Sequence, residues 1–571
     1  MKINRPPSAS CIPVLIVGAG PVGLFAALLL ARQGIRSLVV ERRAARLRAP
    51  KAHALNPRSL EICRALGIPR EEIAAVATPP VEGGHVRFMT RLNGIELGAL
   101  PYERQDDAVL AVTPTPLVNV PQPEFEDILL ARCACEPLIE IRRGWRWHGA
   151  VESADGLCST VRDEGRGCDS VIESRYLIGA DGAESAVRKH AGIAMEGPTE
   201  LQHRIMINFE ADLRGIVGSA PAILYWTLDP AAMGSFIAYD LGGNLVFMHR
   251  YDPTRESVAD FGPQRCAALV RAAIGDPDIA ITVRHALPWT MSVQVAQHYR
   301  AGRVFLAGDA AHRFPPSGGL GLNTGLQDAH NLAWKIGWVE SGRAGTELLD
   351  SYERERRPVA QANARQSHLN ADNMLRFQQG MQRLSGGATG ADLALRLQRP
   401  EIRRALADLI AAQADHFDSL RLQLGFVYGG DAATGSVRDF VPEAVVGARL
   451  PHVWIVREGR RASTLDLVDL TAFTLIVAHD GERWMHEQPA GRPLAVVRAG
   501  IDFADPEQGC EALWRTGPRG ALLVRPDGHI AARAADDTPA AVAALWQAFA
   551  AAYPVAAAPS RFFPSFALAG R

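Results

Sequence analysis

Hydrophobic positions near the start of the chain change period twice within thirty residues. Val14-Leu15-Ile16-Val17 is an unbroken apolar run of strand length, which predicts a strand buried on both faces. Gly18-Ala19-Gly20-Pro21-Val22-Gly23 follows, and then an apolar run of helical length over 24–31. Gly34 stops that helix, and Ser37-Leu38-Val39-Val40 predicts a second strand ending on Glu41. The stretch Pro50 to Glu61 enters a helix that ends near Gly67, and another is predicted over 127–135. The stretch 139–178 is strand-rich, with turns at Ala154-Asp155-Gly156 and at Glu164-Gly165-Arg166-Gly167. Between 201 and 293 a second block alternates apolar and polar residues over 203–209, 222–227, 235–239 and 245–250, the pattern of an antiparallel sheet. An apolar strand at 304–307 then leads through a glycine-rich loop to a helix predicted over 324–340. From Tyr352 to about Gly425, Leu369, Met374, Leu375, Met381 and Leu384 recur at helical spacing and predict packed helices. Beyond Gly429-Gly430 come strands at 474–477, 494–497 and 521–528 and a closing helix at 538–553.

The first of these stretches carries chemistry. Strand, G-x-G-x-x-G, helix and second strand form a βαβ unit in the context dinucleotide binding requires. Gly18 allows the tight turn, Gly20 lets backbone approach a pyrophosphate, and Gly23 lets the helix pack against the strand. The helix N-terminus offers unpaired N–H groups and the positive end of its dipole to phosphate, and Glu41 is placed to accept from ribose hydroxyls. Arg42, Arg43, Arg46, Arg48 and Lys51 follow at once, read either as a solvated basic loop or as contacts to cofactor phosphates. Gln122 stands just ahead of a helix, where it could cap that helix or reach a bound ring. Two later stretches repeat the grammar of apolar strand, Gly/Asp turn and helix. One is Ile178-Gly179-Ala180-Asp181-Gly182; the other is Leu306-Ala307-Gly308-Asp309, continuing through Pro316 and Gly318-Gly319-Leu320-Gly321-Leu322-Asn323. In the second, Asp309 can bind hydroxyls and loop N–H groups can bind carbonyl or anionic oxygens.

Composition narrows the classes. A chain of 571 residues should form two or three domains. With 61 basic and 62 acidic residues the net charge is −1, so no polyanion-binding surface is advertised and nucleic acid is not an expected partner. Eight cysteines lie scattered with no C-x-x-C pair or metal-ligand spacing, which suggests reduced thiols and no metal. Gly18, Gly20, Pro21 and Gly23 break the apolar start, and no run reaches the roughly 18 residues a membrane span needs. A cytoplasmic protein with no membrane partner is expected.

Taken together, Gly18-x-Gly20-x-x-Gly23, Asp181-Gly182 and Gly308-Asp309, in this order and spacing, resemble the three fingerprints of the single-component (class A) FAD-dependent aromatic hydroxylases. The resemblance spans about residues 12–360. It implies an α/β fold, with a Rossmann-like FAD-binding domain (1–200 and 290–360) interleaved with an antiparallel-sheet substrate domain (201–289). A helical connecting region (361–430) would follow. The tail (431–571) resembles the thioredoxin-like C-terminal domain of phenol-hydroxylase-type members, here without a C-x-x-C pair and with Cys510 alone. It would stabilise the fold or an oligomer interface, a homodimer being the candidate assembly.

By the same resemblance Gly18, Gly20 and Gly23 hold the pyrophosphate, Glu41 the adenosine ribose, and Arg132 is a candidate for adenine or phosphate contact. Asp309 would bind the ribityl chain, with Gly308 and Pro316 shaping its turn. The backbone of Gly319, Gly321, Leu322 and Asn323 would border the isoalloxazine. Asp181 would serve both FAD and the passing NADPH or NADH, with Arg188 bracing the turn. The family's chemistry is reduction of FAD by the nicotinamide, formation of a flavin C4a-hydroperoxide with O2, and hydroxylation of a phenolic or other electron-rich small aromatic substrate. His53, with its ordinary near-neutral pKa, is the candidate base for a substrate hydroxyl; the plainer reading is a histidine satisfied by backbone at a helix entry. Tyr225, Trp226, Tyr239 and His249 are candidates to line the pocket, set against ordinary sheet packing. Lys51 and Leu320 depart from the common Arg and Gln. A reductase or dehydrogenase of the same fold, or a hydroxylase of polycyclic aromatic natural products, are the alternatives. A halogenase is disfavoured because Trp145-Arg146-Trp147 is followed by His148-Gly149.

Overall fold

The structure, a computed structural model, describes residues 11–430, 435–489 and 492–555; the outer ends of the first and last predicted domains lie outside them. Ile12–Val17 is the centre of a parallel sheet. Ser37–Glu41 and then Ile139–Arg143 flank it on one side, Cys168–Gly179 and Val304–Leu306 on the other. Val14, Leu15, Ile16, Leu38, Val39 and Val40 are all buried, as strands covered by helices on both faces must be. Trp145–Glu152 and Leu157–Asp163 extend Cys168–Gly179 as an antiparallel meander. The helices Pro21–Arg32, Gln122–Ala134 and Leu320–Glu340 pack on this sheet.

The second sheet has seven strands, in the order Thr282–Met291, Gln202–Glu210, Asn244–Tyr251, Gly234–Asp240, Leu224–Thr227, His85–Met89 and Glu96–Pro101. Its last two strands come from outside the span 201–289, out of the stretch read as cofactor domain. The junction is parallel, Leu224 to Thr227 pairing with Val86 to Met89. The helix Pro263–Ile274 covers the outer face, packing Cys266, Val270 and Ile274 against Phe209, Phe236 and Phe247. The inner face presents Val86, Phe88 and Trp226 to Ala54, Tyr102 and the residues Met374, Phe377 and Met381 of the long helix Ser351–Ser385.

In the C-terminal domain Phe473–Val477 pairs parallel with Leu494–Arg498 and antiparallel with Ala521–Val524, which turns back as Ile530–Ala534. With the closing helix Pro539–Ala552 this is the thioredoxin-like arrangement. Buried ion pairs tie it to the cofactor domain: Arg449 to Glu61 at 3.0 Å, and Arg525 to Glu355 at 2.8 Å. The eight cysteines are all free. Among the described residues no helix is long and apolar enough to cross a membrane, and no cluster of His, Cys, Asp and Glu could hold a metal ion.

Candidate active site

The glycine loop is shaped by contacts that exclude side chains. A Cβ on Gly18 (φ +107°) would lie 2.3 Å from the Ala180 carbonyl oxygen, and one on Gly23 would lie 2.0 Å from that of Gly18. At Gly20 the same Cβ would meet nothing within 4 Å. Gly20 is also the N-cap of Pro21–Arg32, with no side chain capping the helix. An open, uncapped helix N-terminus of this kind fits a pyrophosphate. Glu41 accepts from the N–H groups of Ala19 (3.0 Å) and Arg43 (2.9 Å), so its carboxylate is already fixed beside the loop.

The second cradle faces the first. Gly308 (φ +61°) begins the turn Gly308–Ala310, which leaves Asp309 exposed and without a side-chain partner among the described residues. The helix expected from 324 starts four residues earlier, at Leu320. Its N-cap is Gly319 (φ +62°), again with no side-chain cap, and a Cβ on Gly321 would meet nothing within 4 Å. Gly321 and Leu322 therefore offer first-turn N–H groups to an open space. Pro316 accepts from the Gly319 N–H at 3.1 Å and closes the turn before the helix. Asn323 is committed to the protein: its Nδ2 donates to the carbonyls of Ala54 (2.8 Å) and Gly319 (2.7 Å), and its Oδ1 accepts from Asn56 N–H (2.9 Å). That clasp sets the segment carrying His53 against the helix N-terminus.

Three of the residues expected to contact the cofactor are engaged within the protein, and Arg188 braces the turn. Asp181 caps the helix Ala186–His190, accepting from Ser185 Oγ and from Ala186 N–H at 2.7 Å. Arg188 spans the two turns, donating to the carbonyls of Ala183 (3.2 Å) and Ala310 (3.1 Å). Gln122 heads its helix, which starts five residues before the expected 127. Its Oε1 accepts from Ala52 N–H (3.3 Å) and its Nε2 donates to Glu126 (2.8 Å). Arg132 pairs with Glu72. In the basic loop Arg46 and Arg48 pair with Asp127, while Arg42 is exposed and has no partner among the described residues.

Above Gly319 lies an aromatic pocket. His53 sits between Tyr102 (ring centroids 5.6 Å apart) and Tyr239 (6.0 Å, edge-on). Its Nδ1 is 3.1 Å from Asn119 Oδ1. Burial pushes the imidazole down to about 4, so the near-neutral pKa expected of it is absent, and His53 is a neutral hydrogen-bonding group at pH 7. Tyr239 Oη and Trp226 Nε1 are buried with no partner among the described residues. Strand alternation separates the other candidates: Tyr225 packs with Phe236 and Phe247 on the outer face. His249, two positions from Phe247, stacks near Phe261 there as well. The pocket instead gains Tyr102 and Asn119, which no local motif marks.

Tyr102 is backed by an unusual carboxylate. Glu103 accepts from Ser419 N–H (3.1 Å), Ser419 Oγ (3.0 Å) and Gln423 Nε2 (2.9 Å), but has no cation partner among the described residues. Burial outweighs these bonds and raises it from 4.5 to about 7. The folded state therefore holds the proton more tightly than the unfolded chain, and stability falls as pH rises from about 4.5 to about 7. Glu103→Gln should match the parent below that window and exceed its stability by about 1–3 kcal/mol at pH 8, read by urea unfolding. Parallel pH curves for the two proteins would place the carboxyl in its ordinary range.

Two uncapped helix ends, an exposed aspartate turn and a roof of aromatics define a flavoprotein that handles an aromatic ring. Residues 11–367 match the FAD binding domain family, and 443–552 match the aromatic-ring hydroxylase C-terminal family. The chain belongs to the FAD-dependent aromatic hydroxylases: it is a flavoprotein monooxygenase that uses FAD and NAD(P)H. It is 35% identical to a putative polyketide hydroxylase of Streptomyces halstedii, over 93% of this chain and 94% of that one. It is 32% identical to the 2,4-dichlorophenol 6-monooxygenase of Delftia acidovorans, over 91% and 94%. The solved structure of the flavin-dependent monooxygenase PieE with FAD and substrate superposes with a TM-score of 0.88 at 31% identity, covering 95% of this chain and 99% of that one.

Proposed function

We propose that the chain hydroxylates a phenolic ring within a fused polycyclic aromatic, the reacting hydroxyl lying at His53 and Tyr239 and the skeleton extending along the inner face of the sheet toward Trp226. The observation that carries this is the pair of buried, unpartnered atoms on that face, Tyr239 Oη and Trp226 Nε1. Trp226 pairs with Ser235, four positions from Tyr239, so the two side chains spring from points about 13 Å apart along the strand. A buried donor left unpaired costs about 1–3 kcal/mol. A fused ring system with oxygens at both ends reaches both, which a single ring does not. The relatives' names include a polyketide and a dichlorophenol, and the spacing of the two unpaired atoms supports the larger ring system.

In this reading Gly18, Gly20 and Gly23 cradle the pyrophosphate, Glu41 takes the ribose, Arg42 reaches a phosphate and Asp309 the ribityl hydroxyls. The N–H groups at Gly321 and Leu322 favour negative charge on the reduced ring. FAD held there would supply hydride acceptance from NAD(P)H and activation of O2, with one oxygen atom going to the substrate and the other to water. His53 accepts a hydrogen bond from the substrate hydroxyl and leaves the ring electron-rich. Val86, Phe88, Met374 and Phe377 form an apolar wall that keeps water from the reacting atoms.

The test is NAD(P)H oxidation by FAD-loaded protein with single-ring phenols and with hydroxylated anthraquinones, following O2 and hydrogen peroxide together. Stimulation of at least tenfold by a fused-ring compound, with little peroxide, is expected. Stimulation by single-ring phenols alone would overturn the substrate class.

A further inference from the structure

We propose that Asn119 is a positioning residue that holds His53 in the tautomer protonated at Nδ1, so that Nε2 presents a bare lone pair to the substrate hydroxyl. The use of that lone pair rests on the function proposed above; the tautomer itself does not.

An amide has one donor end and one acceptor end, and its orientation follows from its partners. Asn119 Nδ2 lies 3.2 Å from the Gly83 carbonyl, which can only accept. Turning the amide over would set two oxygens against each other. Oδ1 is therefore the atom 3.1 Å from His53 Nδ1, and Nδ1 must carry the hydrogen. The frame around this contact is rigid. Ala54 pairs with Asn119 across two short strands, and Val120 N–H donates to the His53 carbonyl at 2.6 Å. Thr78 N–H donates to the Asn119 carbonyl at 2.8 Å. The Gly83 carbonyl is held from the other side by Gln105 Nε2 at 3.1 Å. A Cβ on Gly83 would come within 3.0 Å of Asn119 Nδ2, so the close approach uses a glycine. Asn119 is 1% exposed, which leaves the amide no water to turn toward.

Because burial keeps the His53 ring singly protonated at neutral pH, the choice between its two nitrogens is the whole of its hydrogen-bonding character. Nε2 has no protein partner among the described residues, and Tyr102 and Tyr239 contact the ring only through their aromatic systems. With the hydrogen on Nδ1, the imidazole accepts from a phenolic O–H and leaves electron density on the substrate ring. The opposite tautomer would donate to the phenol oxygen and withdraw density from the carbon under attack.

The experiment is nitrogen NMR on FAD-loaded protein labelled with 15N-histidine, with His53 assigned by the resonances lost in His53→Gln. In the parent, Nε2 should resonate as an unprotonated nitrogen and Nδ1 as a protonated one; the reverse overturns the proposal without any variant being needed. Asn119→Leu should move Nε2 to its protonated position, and Asn119→Asp, whose buried carboxyl can keep its proton toward the Gly83 carbonyl and still present an acceptor to Nδ1, should not. Unchanged shifts in Asn119→Leu overturn the proposal. With a stimulating phenol and full FAD content, Asn119→Leu should lose at least tenfold in kcat and Asn119→Asp clearly less. Equal losses in the two variants would make Asn119 a packing residue only. If no phenol stimulates turnover while the tautomer shift is found, the proposed function fails and the positioning role stands.

Discussion

Arg525→Leu should lower the stability of the FAD-loaded protein by about 3–5 kcal/mol at pH 7.5, the range for breaking a buried ion pair from one side. Arg525 is 5% exposed. It meets both oxygens of Glu355 at 2.8 Å and both of Asp527, at 3.0 and 2.5 Å. Burial alone would raise both carboxyls. Arg525 overrides it, holding Asp527 at about 2 with help from His529, and Glu355 still lower with help from Lys335. Leucine leaves Glu355 with Lys335 as its one cation among the described residues, beside the neutral Asn331 Nδ2, and leaves Asp527 with the neutral donors Trp334 Nε1, Asn331 Nδ2 and His529 N–H. Carboxyls held below their ordinary values stabilise the fold above about pH 4, and that contribution is lost as pH falls toward their folded values. The deficit of Arg525→Leu should therefore shrink on acidification. Urea unfolding followed by tryptophan fluorescence reads it directly, since Trp334 and Trp338 lie at this junction. Equal stability of Arg525→Leu and the parent at pH 7.5 would mean that desolvation cancels the pair.

Gly20→Val should separate folding from cofactor binding. Gly20 has φ −79° and ψ −179°, an extended conformation open to any L-residue, and its Cβ direction is empty. The apo fold should lose no more than about 1 kcal/mol, the cost of exchanging a glycine N-cap for valine. The isopropyl group would fill the cradle where backbone must approach phosphate, and the FAD dissociation constant should rise at least a hundredfold. Gly23→Val is the contrast, because its Cβ collides with the Gly18 carbonyl and disturbs the protein itself. A Gly20→Val protein that titrates with FAD as tightly as the parent would move the pyrophosphate elsewhere.

Features written in neighbouring residues were legible in the sequence. The three glycines and Glu41 announce themselves because one turn demands them, and the Gly308-Asp309 turn does so for the same reason. Strand periodicity located both sheets, since burial on one face enforces alternation. Alternation also says that Tyr225 and Trp226 face opposite ways; which of them meets the pocket depends on helices that lie outside any local window of sequence. Pro263–Ile274 covers one face and Ser351–Ser385 approaches the other. His249 was misplaced by the same omission. His53 stood out as a titratable residue beside a basic loop, but its lowered pKa comes from a surrounding that no window of sequence contains. Gln122 and Asp181 were visible as polar residues at helix starts, and the backbone donors nearby occupy them. Strands His85–Met89 and Glu96–Pro101 join the second sheet through a parallel contact over long sequence separation, which composition does not signal.

The helix Leu320–Glu340 begins at the site and ends with Trp334 and Trp338 packed against Phe473 of the C-terminal sheet. Its 21 residues make a rod about 32 Å long. One rigid element thus belongs to two hydrophobic cores, and neither can open without unseating it. A cofactor gripped at the first turn should slow amide exchange in the strand Phe473–Val477, far from any atom it touches, as hydrogen exchange with and without FAD would read. The small domain at the end of the chain would then be a distant gauge of cofactor occupancy, and cutting it away would strip the far end of the rod whose first turn is proposed to hold the flavin.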